Sequence, residues 1–165
     1  MPGFLLDTNH VCKMHEKHPL ILAKLASLPP GTQIRASVVT LAEIDWGHAV
    51  TKTTDQAKRD AYTRFVNSTF LPNAIPISPA TRIEYVRILS GIWKQHPPPK
   101  GKKTERHLVD LGVDINDVWI AATACEHGLV LATTDSMACI RQQMPLQPEN
   151  WLATPVSATA ISQPP

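Results

Sequence analysis

Short apolar runs bounded by polar or turn-forming residues mark four places along the chain where strands are expected. They are residues 4–6, 33–37, 74–77 and 129–132. Runs of this length are typical of strands in a sheet that is covered on both faces. The third run contains Pro76, which predicts a strand at the edge of the sheet or at a strand end.

Between these runs, apolar residues recur every three or four positions, which indicates amphipathic helices. The pattern predicts helices after residue 7, near residues 20–28, over 39–50, 53–70, 78–96 and 117–127, and a short one after residue 135. Ser78 is a suitable N-cap for its helix, and we expect Asn116 to cap the helix that ends before Gly128. Strands that alternate with helices predict an α/β fold, with helices on both faces of a mostly parallel sheet.

Composition limits the class of protein. The chain has 165 residues, of which 43% are hydrophobic and 18% charged, as expected for one globular domain. Its net charge of +2 is too small to indicate nucleic-acid binding by itself. The three cysteines show no CxxC spacing and favour reduced thiols in the cytoplasm. Neither a signal peptide nor an apolar stretch of about 20 residues is present, so no membrane association is expected.

Four carboxylates lie where predicted strands give way to helices. Asp7 and Asp135 follow strands, Glu43 lies about one turn into the helix after the second strand, and Asp117 begins a helix. The carboxyl ends of parallel strands share one edge of a sheet, so the four acids are expected to meet there. They cannot all stay ionised at close range without a cation. Mg²⁺ or Mn²⁺ suits oxygen ligands and can activate water for attack on a phosphate.

Each acid also has an ordinary structural interpretation. Asp7 and Asp117 are in favourable positions at helix N-termini, where an acid contributes about 0.3–1 kcal/mol. Glu43 alone suits a solvated helix face, and Asp135 alone suits a turn. Asp114 is either a loop residue or a fifth acid of the site. The metal hypothesis therefore depends on the set and its order, not on any one residue.

Five segments together resemble a known family. They are Leu-Leu-Asp-Thr-Asn at 5–9, Ser-Val-Val-Thr-Leu-Ala-Glu-Ile-Asp-Trp-Gly at 37–47, Asn-Asp-Val-Trp-Ile-Ala-Ala at 116–122, Leu-Ala-Thr-Thr-Asp at 131–135 and Pro-Glu-Asn-Trp at 148–151. In these segments the chain resembles the PIN-domain ribonucleases, most closely the VapC-like toxins of bacterial toxin–antitoxin pairs. The resemblance covers residues 3–152, with a Pro/Ser/Thr-rich tail at 153–165 that is expected to be mobile.

The resemblance implies an α/β/α sandwich and Mg²⁺- or Mn²⁺-dependent endonucleolytic cleavage of RNA. It also implies a homodimer and a cognate antitoxin that blocks the site. Two hydroxyl residues, Thr8 and Thr133, match positions that support the site in this family. The acidic positions of the family are matched by Asp7, Glu43, Asp117 and Asp135.

Residues 97–114 are longer and more basic than the family's usual link. The densest positive run there consists of Lys100, Lys102, Lys103 and Arg106. These residues either contact RNA phosphates at the rim of the site or form a solvated loop. Two other functions stay open: a non-catalytic RNA-binding or regulatory module of the same fold, and a metal-dependent nuclease that acts on DNA.

The remaining histidines and tryptophans are assigned structural positions. His10, His15 and His18 show no metal-binding spacing and are expected on the surface. Three tryptophans on apolar helix faces, Trp46, Trp93 and Trp119, are expected in the core or in dimer contacts. Trp151 is expected to pack back onto the sheet.

Overall fold

The sheet has three parallel strands, and the first strand lies in the middle. The structure is a computed structural model that describes residues 2–51, 55–101 and 103–153. Strands β1 (Phe4–Leu6), β2 (Ile34–Ala36) and β3 (Val130–Ala132) lie in the order β2-β1-β3. Leu6 pairs with Ala36 on one side and with Ala132 on the other, so all three strands end at the same level.

Helices connect and cover the strands. In chain order they are α1 (Thr8–His15), α2 (Pro19–Ser27), α3 (Val38–Val50), α4 (Gln56–Thr69), α5 (Pro79–Gln95), α6 (Thr104–Asp110), α7 (Ile115–Glu126) and α8 (Ala138–Arg141). A 3₁₀ turn at Leu71–Asn73 follows α4. Within the described ranges, no helix has both the length and the apolar character needed to cross a membrane.

Alternation along the strands divides the core into two layers. Leu5 and Leu131 face a core that includes residues of α5 and α7. Phe4 and Leu6 face the opposite way, into a core that includes residues of α1, α2, α3 and α4. Because successive strand residues point to opposite faces, β1 and β3 each contribute to both cores, whereas β2 contributes Ile34 and Ala36 to the second core. The predicted α/β/α sandwich is confirmed.

The predicted central helix is α7. Its buried residues are Val118, Ile120, Ala121, Ala122, Thr123 and Ala124. Trp119 stacks on Tyr85 of α5 at 3.9 Å between ring centroids, which joins the two helices. Ser78 caps α5 as predicted, with its hydroxyl accepting from the backbone of Ala80 and Thr81.

Two expectations about local structure are wrong, and the basic segment proves to contain a helix. Residues 74–77 form a single bridge, between Ile75 and Ser37, instead of a strand. Asp114, not Asn116, caps α7, because its carboxylate accepts the Asn116 backbone N–H at 2.7 Å. The basic segment contains α6, whose buried Leu108 and His107 anchor it; His107 Nε2 donates to the His96 carbonyl at 2.7 Å.

Two predicted core tryptophans are exposed. Trp46 is 68% exposed on α3, and Trp93 is 41% exposed on α5. They are not core residues, so the alternative of dimer contacts stays a prediction for both. The start of the predicted helix at residues 53 and 54, Lys102 and the tail from residue 154 lie outside the described residues.

The C-terminal segment packs onto β3, as expected for Trp151. Glu149 donates its N–H to Leu131 and accepts the Thr133 N–H, both at 2.9 Å. Trp151 is 5% exposed, and its ring meets Phe4 edge-on at 5.0 Å between centroids. Lys24 pairs with Glu149 at 2.8 Å beside the same ring. The C-terminal segment therefore covers the core that contains Phe4 and Leu6.

Replacing Trp151 with Ala should lower the free energy of unfolding by about 3–5 kcal/mol, because it empties a buried aromatic site. The matched control is Trp46→Ala, which removes an exposed ring and should change stability by no more than about 0.5 kcal/mol. Urea denaturation of both variants measures the difference. Similar losses in the two proteins would contradict the packing described for the C-terminal segment.

Candidate metal centre

Asp7 lies between the central strand β1 and helix α1. Its backbone N–H donates to the Ala132 carbonyl at 3.0 Å, so it lies between the ends of β1 and β3. As N-cap of α1 its Oδ1 accepts the His10 backbone N–H at 2.8 Å. The residue is 6% exposed, and Oδ2 is buried without a hydrogen-bond partner among the described residues. A buried carboxylate oxygen with no donor is costly unless a ligand satisfies it.

Glu43 reaches the same edge from the second turn of α3. The Thr8 hydroxyl donates to Glu43 Oε2 at 2.5 Å, which joins the start of α1 to α3. Ser37 fixes the start of α3 by accepting the Thr40 N–H at 3.0 Å. Thr8 therefore orients a carboxylate, which is the arrangement that a supporting hydroxyl at a metal site would need.

Asp135 lies in the turn after β3. The Thr133 hydroxyl accepts the Asp135 backbone N–H at 3.0 Å, and Thr133 itself is buried. The Asn9 amide donates to the Thr134 hydroxyl at 2.9 Å, which ties this turn to α1. Partial burial raises the pKa of Asp135, and the nearby Asp7 raises it further. Its carboxylate is thus held at the edge that Asp7 occupies.

Asp117 is the most perturbed acid of the set. Burial in the first turn of α7 and then the charges of Asp114, Asp135, Glu43 and Asp7 raise the pKa of Asp117 to about 7. Loss of solvation and neighbouring like charges both disfavour the ionised form. The effect of all three other predicted ligands on Asp117 indicates that the set occupies one region. Asp114 contributes charge to that region although it caps α7.

The four acids lie at the same edge of the sheet, but their carboxylates do not converge into a preformed metal site within the described residues. In residues 2–51, 55–101 and 103–153, no three side chains of His, Cys, Asp or Glu come together closely enough to hold a metal ion. Mutual repulsion is a physical reason for the spread, since carboxylates gain nothing by approaching one another without a cation.

The chemistry of the donor set fits a hard divalent cation. The donors are carboxylate oxygens, and one of them, the buried Asp7 Oδ2, has no partner among the described residues. Oxygen donors of this kind suit Mg²⁺ or Mn²⁺. A cation would also offset the charge repulsion that raises the pKa of Asp117. The residues present therefore fit such an ion.

Three of the four predicted RNA-binding residues lie in the described part of the chain, and Lys102 does not. Lys100 and Arg106 are exposed, and Lys103 is the exposed residue that precedes α6. Lys103 and Arg106 are three positions apart, which is close to one helical turn, so they can present charge on one side. No hydrogen bond or ion pair links these three residues to the four acids in the described part of the chain.

Comparison with known proteins agrees with this fold. Residues 4–140 match the model of the PIN domain family. No curated protein matches the chain. The chain belongs to the PIN domain family, whose members are nucleases.

Solved structures share the fold over nearly their whole length. FitAcB from Neisseria gonorrhoeae is 25% identical, with a TM-score of 0.61, over 90% of this chain and 97% of that one. VapBC2 from Rickettsia felis, bound to a promoter DNA fragment, is 22% identical, with a TM-score of 0.62, over 90% and 98% of the two chains. DNA-bound VapBC from Salmonella typhimurium is 20% identical, with a TM-score of 0.64, over 92% and 99%.

Sequence reasoning placed His10 on the surface, and that expectation is wrong. The residue is fully buried, with Nδ1 2.8 Å from Asp7 Oδ1. Its position three residues after Asp7 puts it one helical turn from the cap, which is the available sequence signal. Its second partner, Trp151, is 141 residues away and gives no local signal.

The stability of the metal-free protein should fall as the pH rises from about 4 to about 7. The folded state raises the pKa of Asp117 from 3.8 to about 7, so it binds that proton more tightly than the unfolded chain does. This contribution is fully present below the unfolded pKa and is lost as the pH rises through the folded pKa. Denaturant unfolding in EDTA across this window should show the fall, and Asp117→Asn should flatten it. If the free energy of unfolding depended equally on pH in the two proteins, the raised pKa of Asp117 would be contradicted.

Proposed function

We propose that the chain is a metal-dependent endoribonuclease and the toxin component of a toxin–antitoxin pair. The observation that carries this proposal is the buried Asp7 Oδ2, which has no hydrogen-bond partner in the described part of the chain. It lies at an edge where burial and then neighbouring carboxylates raise the pKa of Asp117. Membership in a family of nucleases supports a phosphodiester as the substrate bond. The motif resemblance to PIN-domain ribonucleases supports RNA.

In this proposal the protein's own residues bind the cation and orient its ligands, and none of them attacks the phosphate. The proposed ligands of Mg²⁺ or Mn²⁺ are Asp7, Glu43, Asp117 and Asp135. When bound, such a cation supplies Lewis-acid stabilisation of charge at a phosphate and activation of water. Thr8 keeps one Glu43 oxygen directed by its hydrogen bond, and Thr133 fixes the turn that carries Asp135. Neither hydroxyl is assigned a nucleophilic role.

The basic segment is the proposed contact with the RNA backbone. Lys100, Lys103 and Arg106 are exposed, and Lys102 lies outside the described residues. An RNA strand that approaches four carboxylates is repelled, so positive charge near the rim would lower the cost of binding. Lys103 precedes α6 directly and Arg106 lies in its first turn, so the helix fixes the backbone positions of these two residues.

An antitoxin and a second copy of the chain are the proposed protein partners. The similar solved structures include a VapBC toxin–antitoxin system from Mycobacterium tuberculosis, which supports an antitoxin partner. Homodimer formation is supported by three exposed apolar residues of α5, namely Ile83, Val86 and Trp93. Their spacing of three and seven places them on one side of the helix, and exposed apolar stripes commonly mark interfaces.

The cytoplasm is the proposed location of the protein. All three cysteines, Cys12, Cys125 and Cys139, lie in the described part of the chain and are free thiols. Unpaired thiols suit a reducing compartment.

Purified protein, free of antitoxin, should cleave RNA with Mn²⁺ and should lose that activity in EDTA. Asp7→Asn and Asp117→Asn should each reduce the rate about a hundredfold or more, because a cation site loses a charged ligand and transition-state stabilisation of several kcal/mol is at stake. Denaturing gels of an end-labelled RNA, with single-stranded and duplex DNA in parallel, measure the rate and the substrate class.

The matched control is Asp60→Asn, which neutralises an exposed acid of α4 and should keep wild-type activity. Cleavage that persists in EDTA and in both site variants would identify a contaminant and refute the enzyme. Binding without cleavage would favour the non-catalytic RNA-binding module. Cleavage of DNA alone would favour the DNA nuclease.

Removing the basic run should weaken RNA binding and its dependence on salt. The variant replaces four residues with Ala: Lys100, Lys102, Lys103 and Arg106. Each phosphate contact to a single strand contributes roughly 0.7 to the slope of log K against log salt concentration, so the slope should fall by up to about 3. Fluorescence anisotropy in an Asp7→Asn background measures binding without cleavage.

A second quadruple variant separates local contact from net charge. It removes the same charge at exposed positions outside the basic run: Lys17, Lys58, Arg64 and Lys94. Its slope should stay closer to that of the parent protein. Equal slopes in the two variants would show that the basic run makes no specific contact.

A further inference from the structure

His10 is the fully buried ionisable residue beside Asp7 for which the proposed chemistry has no use. Its side chain is 0% exposed. Nδ1 lies 2.8 Å from Asp7 Oδ1, and the Trp151 backbone N–H donates to Nε2 at 3.2 Å. The imidazole therefore links the first acid of the site to the last segment of the domain.

The two contacts determine where the ring proton lies. A backbone N–H can only donate, so Nε2 must accept and carries no proton. In the neutral imidazole the proton is then on Nδ1, from which it donates to Asp7 Oδ1. The Trp151 ring packs edge-on against the imidazole, with centroids 5.8 Å apart and planes at 80°. Packing and hydrogen bonding thus hold the ring in one orientation.

This arrangement leaves the two oxygens of Asp7 unequal. Oδ1 accepts two hydrogen bonds, from the His10 backbone and from the His10 ring, each at 2.8 Å. Oδ2 is buried and has no partner in the described part of the chain. Rotation of the carboxylate would break both hydrogen bonds of Oδ1, so Oδ2 stays the open atom.

We infer that His10 is a positioning residue that holds Asp7 Oδ1 and thereby presents Oδ2 to the divalent cation. The inference rests on the proposed function, because it assigns a role to His10 toward that ion. Outer hydrogen bonds of this kind orient ligating groups, and their loss typically costs about 10–100-fold in metal affinity. Through His10, packing of the Trp151 segment also determines the geometry of a ligand at the opposite end of the chain.

Two amide substitutions separate this role from simple core packing. The side-chain amide of Asn lies near the position of Nδ1, so His10→Asn can keep the donation to Asp7 while the bond from Trp151 is lost. The longer Gln reaches the position of Nε2, so His10→Gln can keep the bond from Trp151 while the donation to Asp7 is lost. Each variant removes one hydrogen bond and replaces the same ring.

The experiment measures Mn²⁺ binding to the full chain after EDTA treatment, by titration followed by electron paramagnetic resonance, and thermal unfolding of the same samples. His10→Gln should bind Mn²⁺ about 10–100-fold more weakly than wild type, and His10→Asn should stay close to wild type. Loss of affinity in both variants, in neither, or in the reverse order would overturn the role of His10.

A wild-type protein that binds no Mn²⁺ would overturn the proposed metal site, and the positioning role with it, which is distinguishable from a wrong order among the variants. Nitrogen-15 chemical shifts of His10 in the wild-type protein give a test that does not require either variant to fold. They should identify the tautomer protonated at Nδ1. A proton on Nε2 would refute the hydrogen-bond arrangement from which the role is inferred.

Discussion

The burial of one carboxylate at the end of the central strand is the constraint on which the site depends. Asp7 follows β1, which pairs with both other strands, and its backbone N–H continues that pairing to Ala132. The residue must therefore stay where the sheet ends, although burial of a charge there is unfavourable. Oδ1 accepts hydrogen bonds from the backbone and the ring of His10, whereas Oδ2 accepts none from the residues that the structure describes. The free energy lost by burying Oδ2 in the unliganded fold can be recovered when a ligand binds to that oxygen.

The other acids increase that cost. Asp117, Glu43 and Asp135 come from three different elements, and their charges act on one another at the same edge of the sheet. In the absence of a cation, burial and the charges of neighbouring acids disfavour the ionised forms of Asp117 and Asp135, so these two charges destabilise the fold. Tight packing of α7 against α5 and the sheet opposes this loss. The site is thus maintained by core packing some distance from the charges.

Local patterns in the sequence predict the fold and the location of the acids, but not how they are supported. Each short strand ends at a polar boundary that is visible within about ten residues, so the strands at residues 4 and 130 and their acids were predictable. Residues 74–77 resemble a strand, but they pair only through Ile75, because neighbours in space decide whether a short apolar run joins a sheet. The capping role of Asp114 was missed because Asn116, two residues later, is an equally good cap by type.

The position of His10 shows why the residues that support the acids are harder to predict than the acids themselves. Histidine is intermediate between the buried and the exposed residue types, and the local signal for His10 is only its position one helical turn after Asp7. His10 is buried because Trp151 and the Glu149 pairing with β3 bring the end of the domain over it. Because His10 contacts both Asp7 and the Trp151 backbone, the orientation of the first acid depends on the docking of the last segment of the domain. The acidic edge of the sheet is therefore a property of the whole domain.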